Sequence, residues 1–259
     1  MFRAAALVML QGSRSEAAST LAHGAVAVPW RSGAAVVQSL VPSLSYSKHK
    51  GQAGRIGVVG GSLEYTGAPY YAAASTLQLG ADLSWVFAAH EAAIPIKSYS
   101  PELIVLPTYK SEMDEASVRS TLVATVEPWL DRLHGLVVGP GLGRRSSVMD
   151  GVSRLVEIAA RERRMPVVVD ADGLFLVAQR PELVTGCPNV MLTPNAPEFE
   201  RLKRRVLKRV GERSGPDADA KDLVDVCRAL GGVTVVKKGR VDLISDGRAI
   251  LAVDEVRCV

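Results

Sequence analysis

The chain has 259 residues, is 47% hydrophobic and 22% charged, and carries a net charge of +4: enough apolar material for a sizeable core, and too little net charge to mark a nucleic-acid binder. Three cysteines, Cys187, Cys227 and Cys258, are far apart and odd in number, which argues against a disulfide framework or a CxxC metal site and fits a reducing compartment. His23, His49, His90 and His134 lack metal-ligand spacing. Residues 1–50 form an extension with Arg3, Arg14 and Arg31, many Ala and Ser, and one acid, Glu16. This composition suggests an organellar transit peptide, with an unaddressed tail as the alternative. The apolar run Ala4 to Leu10 is too short to span a membrane.

From Arg55 the pattern becomes regular. Arg55-Ile56-Gly57-Val58-Val59 reads as a strand running into Gly60-Gly61-Ser62, and Ala68 to Leu79 as an Ala-rich helix closed by Gly80. Strands are predicted at Asp82 to Ala88 and Glu102 to Pro107, followed by a helix from Ser117 to Leu130 interrupted near Pro128. Leu133 to Val138 is an apolar strand that opens into Gly139-Pro140-Gly141-Leu142-Gly143. An amphipathic helix over Ser146 to Arg163 precedes the strand Pro166 to Val169, which ends in Asp170-Ala171-Asp172. Val190 to Asn195 reads as another strand, with Asn195 standing where a helix begins. Arg201 to Arg213 holds seven basic residues against one acid; Leu202, Val206 and Val210 make it an amphipathic helix with a solvated basic face, a nucleic-acid or anionic-surface patch being the alternative. Asp217 to Leu230 is a helix, Val233 to Gly239 a strand, and Asp246-Gly247 joins a hairpin of Val241 to Ser245 with Ala249 to Val253.

Apolar strands alternating with helices imply a mostly parallel sheet covered on both faces, with an antiparallel hairpin near the end. In such a sheet the strand ends share one edge, where ligands collect. Here those ends carry Gly60/Gly61, Gly139/Gly141/Gly143, Asp170/Asp172, Asn195 and Lys238/Gly239. Glycine N–H groups and a lysine suit phosphates, and carboxylates suit a hydrated magnesium ion or ribose hydroxyls, so a nucleotide site is expected. The alternatives are structural: the aspartates cap a turn, Asn195 is only a helix cap, and Lys238 is solvated.

The segments GRIGVVGGSLEYTGAPYYAA from Gly54, YSPELIV from Tyr99, VVGPGLGR from Val137, PVVVDADGL from Pro166, LTPNAPEFERL from Leu192 and VVKKGRVDLISDG from Val235 occur together and in order. Over residues 48–253 this closely resembles the ATP-dependent NAD(P)H-hydrate dehydratase family. The resemblance implies a ribokinase-like α/β three-layer sandwich over residues 51–259. It implies dehydration of the S epimer of hydrated NADH or NADPH, with ATP as co-substrate and Mg2+ as cofactor. Ala68, Gly141 and Gly143 would line the damaged-dinucleotide site, and Asn195, Ala196, Pro197, Glu198, Phe199, Glu200 and Arg201 would contact the same ligand. Lys238, Gly239, Arg240, Val241 and Asp242 would meet ATP. Asp170 and Asp172 lie in the expected nucleotide and metal region.

The family's Gly-Gly-x-Gly-Asp motif, which follows the last hairpin and supplies the expected catalytic base, is not met before Val259. A chain ending there is expected to be a truncated form that turns over little, and the reading alternative to the repair enzyme is a non-catalytic nucleotide-binding fragment. A ribokinase-like small-molecule kinase is a third and weaker reading. Implied partners are hydrated NADH or NADPH and ATP, with no nucleic acid or membrane, a homo-oligomer, and a mitochondrial or cytoplasmic location.

Overall fold

A computed structural model of the chain describes residues 20–21, 25–27, 46–47, 49–208 and 216–253. Two short strands come first, β1 (Thr20–Leu21) and β2 (Ala25–Ala27). The described residues then fall into two compact units, one within Ser43–Leu183 and the other comprising Val184–Val259 with the two leading strands. The rest of the expected N-terminal extension, the end of the basic run and Cys258 lie outside the described residues.

In the first unit, β3 (Arg55–Val59) pairs in parallel with β4 (Leu83–Ala89) on one side and β6 (Gly135–Val138) on the other. β5 (Ile104–Tyr109) extends the sheet beyond β4, and β7 (Val167–Val169) extends it beyond β6. The order β7-β6-β3-β4-β5 puts the most apolar strands innermost: Val58, Val59, Val86, Phe87, Leu136 and Val138 are all at most 1% exposed. Because all five run the same way, the segments after Val59, Ala89, Tyr109, Val138 and Val169 share one edge.

Four α-helices connect these strands, α1 (Gly67–Gln78), α2 (His90–Tyr99), α3 (Glu115–Leu130) and α4 (Ser146–Glu157), and α5 (Asp172–Gln179) follows β7. Asp114 caps α3, its Oδ1 accepting the Ser117 N–H at 3.0 Å. Val118, Leu122, Val126 and Leu130 make its buried stripe. Gly151 on α4 lets the two helices approach, since a Cβ there would lie 2.9 Å from Leu122 Cδ2. The expected interruption at Pro128 does not occur. Pro128 falls in the last turn of α3, where it deletes one helical bond while Trp129 packs on Trp85 at 5.8 Å and Leu130 is buried.

The helix expected over Ser146 to Arg163 is α-helical only to Glu157. Ile158–Glu162 then widens into a π-turn, closed by the Arg163 N–H on the Ile158 carbonyl at 2.9 Å, with Ile158, Ala159 and Ala160 buried. Two helices have no counterpart in the sequence reading. α2 follows β4 directly, with no side-chain cap and with Pro95 inside it, yet Ala92, Ala93 and Ile96 are buried. α5 begins at Asp172, so this aspartate opens a helix instead of ending a strand.

In the second unit, β8 (Val190–Leu192) pairs in parallel with β9 (Thr234–Lys237). β10 (Asp242–Ser245) is antiparallel to β9 and forms the expected hairpin with β11 (Ile250–Val253); β2 pairs in parallel with β11. Gly247, at φ +87°, takes the left-handed position that the hairpin turn requires. The helices are α6 (Ala196–Leu207) and α7 (Pro216–Ala229). Leu202 is buried as expected, but α6 stops at Leu207, where Lys208 turns to φ +51°. Nor is its basic face wholly solvated: Lys203 is buried, with Glu200 at 2.6 Å and Asp222 at 3.1 Å. Val210 lies outside the described residues.

Candidate functional site

At the carboxyl edge of the first unit, the loops after β3 and β6 are built into each other. A Cβ on Gly60 would lie 2.1 Å from the Pro140 carbonyl oxygen, and one on Gly139 would lie 1.9 Å from that of Asp170. Only glycine admits these approaches. The N–H groups expected to face a phosphate are largely engaged within the protein. Gly60 donates to the Phe87 carbonyl at 3.1 Å, Gly61 to both the Pro140 and Gly141 carbonyls at 3.1 Å, and Gly139 to the Val59 carbonyl at 3.0 Å. The Gly143 N–H donates to Asp172 Oδ2 at 3.0 Å. These glycines therefore bring loops together more than they present donors.

Ser62 and Tyr65 close a turn beside them, each backbone N–H donating to the other's carbonyl at 3.2 and 3.1 Å. Tyr65 is largely exposed, whereas Ser62 is buried and its Oγ has no hydrogen-bond partner. Ala68 follows, exposed on the first turn of α1. The structure thus brings Gly60, Gly61, Ser62, Ala68, Gly141 and Gly143 to neighbouring loops.

Asp172 is the hinge of the other side. Its Oδ1 accepts from Arg144 Nε at 3.0 Å while Oδ2 holds Gly143, and the Arg144 guanidinium lies over the Phe175 ring at 4.4 Å. Ala171, between the two aspartates, has φ +48° and ψ −117°, a costly conformation for a residue with a Cβ. Arg144, Ser62 and Phe175 were not singled out from sequence. The available signal was an arginine directly after the glycine loop; the contact with Asp172, 28 residues on, leaves no local trace.

Further along this edge, Glu91 Oε1 accepts the Ser111 N–H at 2.8 Å. Burial opposes ionisation of Glu91, but hydrogen bonds from Ser111 and from its own backbone outweigh it and hold the carboxyl below its ordinary value. Burial pushes the Tyr109 phenol up to about 12, against the pull of Arg145. Neither group is poised for proton transfer near neutrality.

In the second unit, Asn195 forms a full capping box: its side chain accepts the Glu198 N–H at 3.0 Å, and Glu198 Oε2 accepts the Asn195 N–H at 2.9 Å. Asn195, Ala196, Pro197 and Arg201 are exposed, while Phe199 is fully buried under the Lys237 ammonium, 5.0 Å from its ring centroid. Phe199 is thus a core residue, unable to present its side chain to a ligand here. The Lys238 N–H donates to the Pro194 carbonyl at 2.8 Å, tying the ends of β8 and β9 together. Gly239 donates to Asp242 Oδ1 at 2.8 Å, so the Gly239 to Asp242 turn is closed by its own aspartate, with Gly239 and Arg240 exposed and Val241 partly so.

Among the described residues no three His, Cys, Asp or Glu side chains form a group suited to a metal ion, and Asp172 has both oxygens engaged. The side chains described do not make a magnesium cage. Among the described residues no helix is long and apolar enough to cross a membrane.

A family model described as NAD(P)H-hydrate dehydratase matches residues 56–255. The chain belongs to this family. It is 52% identical over 219 residues to the ATP-dependent (S)-NAD(P)H-hydrate dehydratase of Bos taurus, covering 83% of this chain and 62% of that protein. It is 50% identical over 216 residues to the Homo sapiens protein of the same name, covering 83% and 59% respectively. The chain therefore spans about six-tenths of the length of these family members. Among solved structures, a ribokinase-like superfamily protein from Enterococcus faecalis superposes with a TM-score of 0.63 at 16% identity, over 83% of this chain and 68% of that one. The ADP/ATP-dependent NAD(P)H-hydrate dehydratase of Bacillus subtilis, co-crystallized with ATP/Mg2+, gives 0.58 at 18% identity, over 86% and 72%. The fold is ribokinase-like: a mostly parallel α/β sheet with helices and antiparallel C-terminal strands.

Proposed function

We propose that this chain carries out the reaction after which its family is named, using ATP to dehydrate the S epimer of hydrated NADH or NADPH and so restore the normal dinucleotide. The observation that carries this reading is the family match over residues 56–255, which takes in every strand-end segment described above. Ala68, Gly141, Gly143 and the exposed residues of the Asn195 to Arg201 segment are assigned to the dinucleotide, and Lys238 to Asp242 to ATP.

Hydroxide is a poor leaving group and phosphate a good one. The γ-phosphoryl group of ATP passes to the ring hydroxyl oxygen, breaking its bond to ADP, and the hydroxyl proton is released. The ring carbon–oxygen bond then breaks, phosphate departs, and loss of a ring proton restores the double bond. The protein's part is to position two anionic partners and exclude water. Magnesium, if carried in with the ATP phosphates, would neutralise part of their charge. The reading extends to a homo-oligomer acting on small molecules, without nucleic acid or membrane, in the mitochondrion or the cytoplasm.

The test is to incubate the purified 259-residue chain with hydrated NADH and ATP and to follow NADH absorbance and phosphate release, measuring binding of each ligand separately. The expected result is binding of both and an ATP-requiring recovery of NADH, however slow. A chain that binds neither ligand overturns the reading.

A further inference from the structure

The Arg144 guanidinium is held on two sides and open on the third. Its Nε donates to Asp172 Oδ1 at 3.0 Å and its face lies 4.4 Å from the centroid of the Phe175 ring, while its terminal nitrogens donate to no described residue. The side chain is 55% exposed. The other ion-paired arginines of this unit use those terminal nitrogens on the protein. Arg145 reaches the Ser111 and Met113 carbonyls, Arg154 reaches Glu157 and Glu162, Arg163 reaches Asp131, and Arg180 reaches Ser153 and Asp150.

A guanidinium fixed through Nε and stacked on a ring has lost most of its rotamer freedom but keeps two parallel donors, the fork that matches two oxygens of a phosphate. It is also placed where a ligand is expected. Arg144 directly follows Gly143, whose N–H shares the Asp172 carboxylate with it. Next to Gly143 is the buried Ser62 hydroxyl, without a partner: a Cβ built on Gly143 would lie 3.5 Å from Ser62 Oγ. A buried hydroxyl without a partner is costly and calls for a ligand or water. We propose that Arg144 is a diphosphate-binding arm, with Asp172 and Phe175 as the residues that position it. The chemistry it selects is a diphosphate, present both in the dinucleotide and in ATP. The choice between them rests on the proposed function, whereas the diphosphate arm itself does not.

The experiment measures dissociation constants of the full chain, Arg144→Ala and Arg180→Ala for inorganic pyrophosphate, hydrated NADH and ATP, with melting curves to show that each variant is folded. Arg180, paired with Asp150 and Ser153, controls for loss of a surface charge. Arg144→Ala is expected to weaken pyrophosphate and one of the two nucleotides by about 10- to 100-fold, as losing charge-assisted hydrogen bonds would, with Arg180→Ala unchanged. The nucleotide affected identifies the source of the diphosphate. Equal binding by the parent chain and Arg144→Ala for all three ligands, or no binding by the parent chain at all, overturns the proposal. Pyrophosphate binding that depends on Arg144, in a chain that ignores hydrated NADH and ATP, sinks the proposed function and leaves the arm standing. Binding of both hydrated NADH and ATP, with neither weakened by Arg144→Ala, does the reverse.

Discussion

Gly139 and Asp170 approach so closely that a Cβ on Gly139 would stand 1.9 Å from the Asp170 carbonyl oxygen and 2.5 Å from the Gly173 nitrogen. The loop after β6 and the turn before α5 are thus one packed piece, and Gly139, at φ +116°, is its tightest point. Gly139→Ala is expected to cost about 3 kcal/mol or more, because backbone must move as well as adopt a strained φ. Gly80 is the matched control: it has φ +100° but nothing within 4 Å, so Gly80→Ala should cost only the left-handed strain of about 1–2 kcal/mol. Urea unfolding of both variants checks the difference. Equal losses would mean that the contact with Asp170 is immaterial.

Ala171 gives the opposite sign. At φ +48° and ψ −117° it occupies a region that only glycine visits freely. Ala171→Gly is expected to leave stability unchanged or raise it by up to about 1 kcal/mol, relief of strain exceeding the added chain entropy. Ala171→Val should destabilise. Thermal melts rank the three, and a drop on Ala171→Gly would show that the strain is not stored there.

Much of this frame was legible in the sequence. β3, β6 and β9 are apolar runs that end in glycine or lysine, and the Asp246-Gly247 turn named its own hairpin. What was not legible depends on distant partners. Nothing local marks α2: it starts from Ala89 without a capping side chain and contains Pro95, and burial of Ala92, Ala93 and Ile96 holds it in place. Asp172-Gly173 reads as a turn, but Ala171 absorbs the change of direction and lets a helix begin. The site was half visible for the same reason. Its glycines can be read from sequence, but the acceptor of the Gly143 N–H lies 29 residues away.

Lys203 on α6 is buried between Glu200 and Asp222, with both side chains of the Lys203–Asp222 pair 8% exposed. Burial alone lowers its pKa, and the hydrogen bonds to the two carboxylates more than reverse this, so the folded value lies above the ordinary one. With a raised folded pKa, the pair's contribution is fully present below the ordinary lysine pKa and is lost as pH rises through the raised one. Lys203→Met should cost about 3–5 kcal/mol by stranding Asp222, and pairing it with Asp222→Leu should recover much of the loss. Chemical denaturation of the single and double variants reads both terms.

Glu115 on α3 accepts from Arg145 Nε at 2.8 Å and from the Ser147 N–H at 3.0 Å. Hydrogen bonds from Ser147 and Arg145, with a smaller one from Ser146, hold its carboxyl at about 2. A depressed folded pKa means that the stabilisation is present above the ordinary value of 4.5 and is lost as pH falls towards 2. Glu115→Gln is therefore expected to flatten the fall in melting temperature between those two pH values. An unchanged slope would assign acid sensitivity to other carboxylates.

Asn195 caps α6 and is proposed to meet the dinucleotide, and a single substitution can separate the two. As the helix cap it accepts the Glu198 N–H at 3.0 Å, a bond that an aspartate makes equally well. Asn195→Ala should cost about 1 kcal/mol of stability, whereas Asn195→Asp should cost almost none. The aspartate nevertheless adds a negative charge where the segment is proposed to meet an anionic dinucleotide, and it removes the amide donor. Asn195→Asp is thus expected to melt with the parent chain while binding hydrated NADH about tenfold or more weakly, as loss of a hydrogen bond with added repulsion implies. A variant that melts and binds like the parent would leave Asn195 as a cap alone and move the dinucleotide contact to its exposed neighbours Ala196, Pro197 and Arg201.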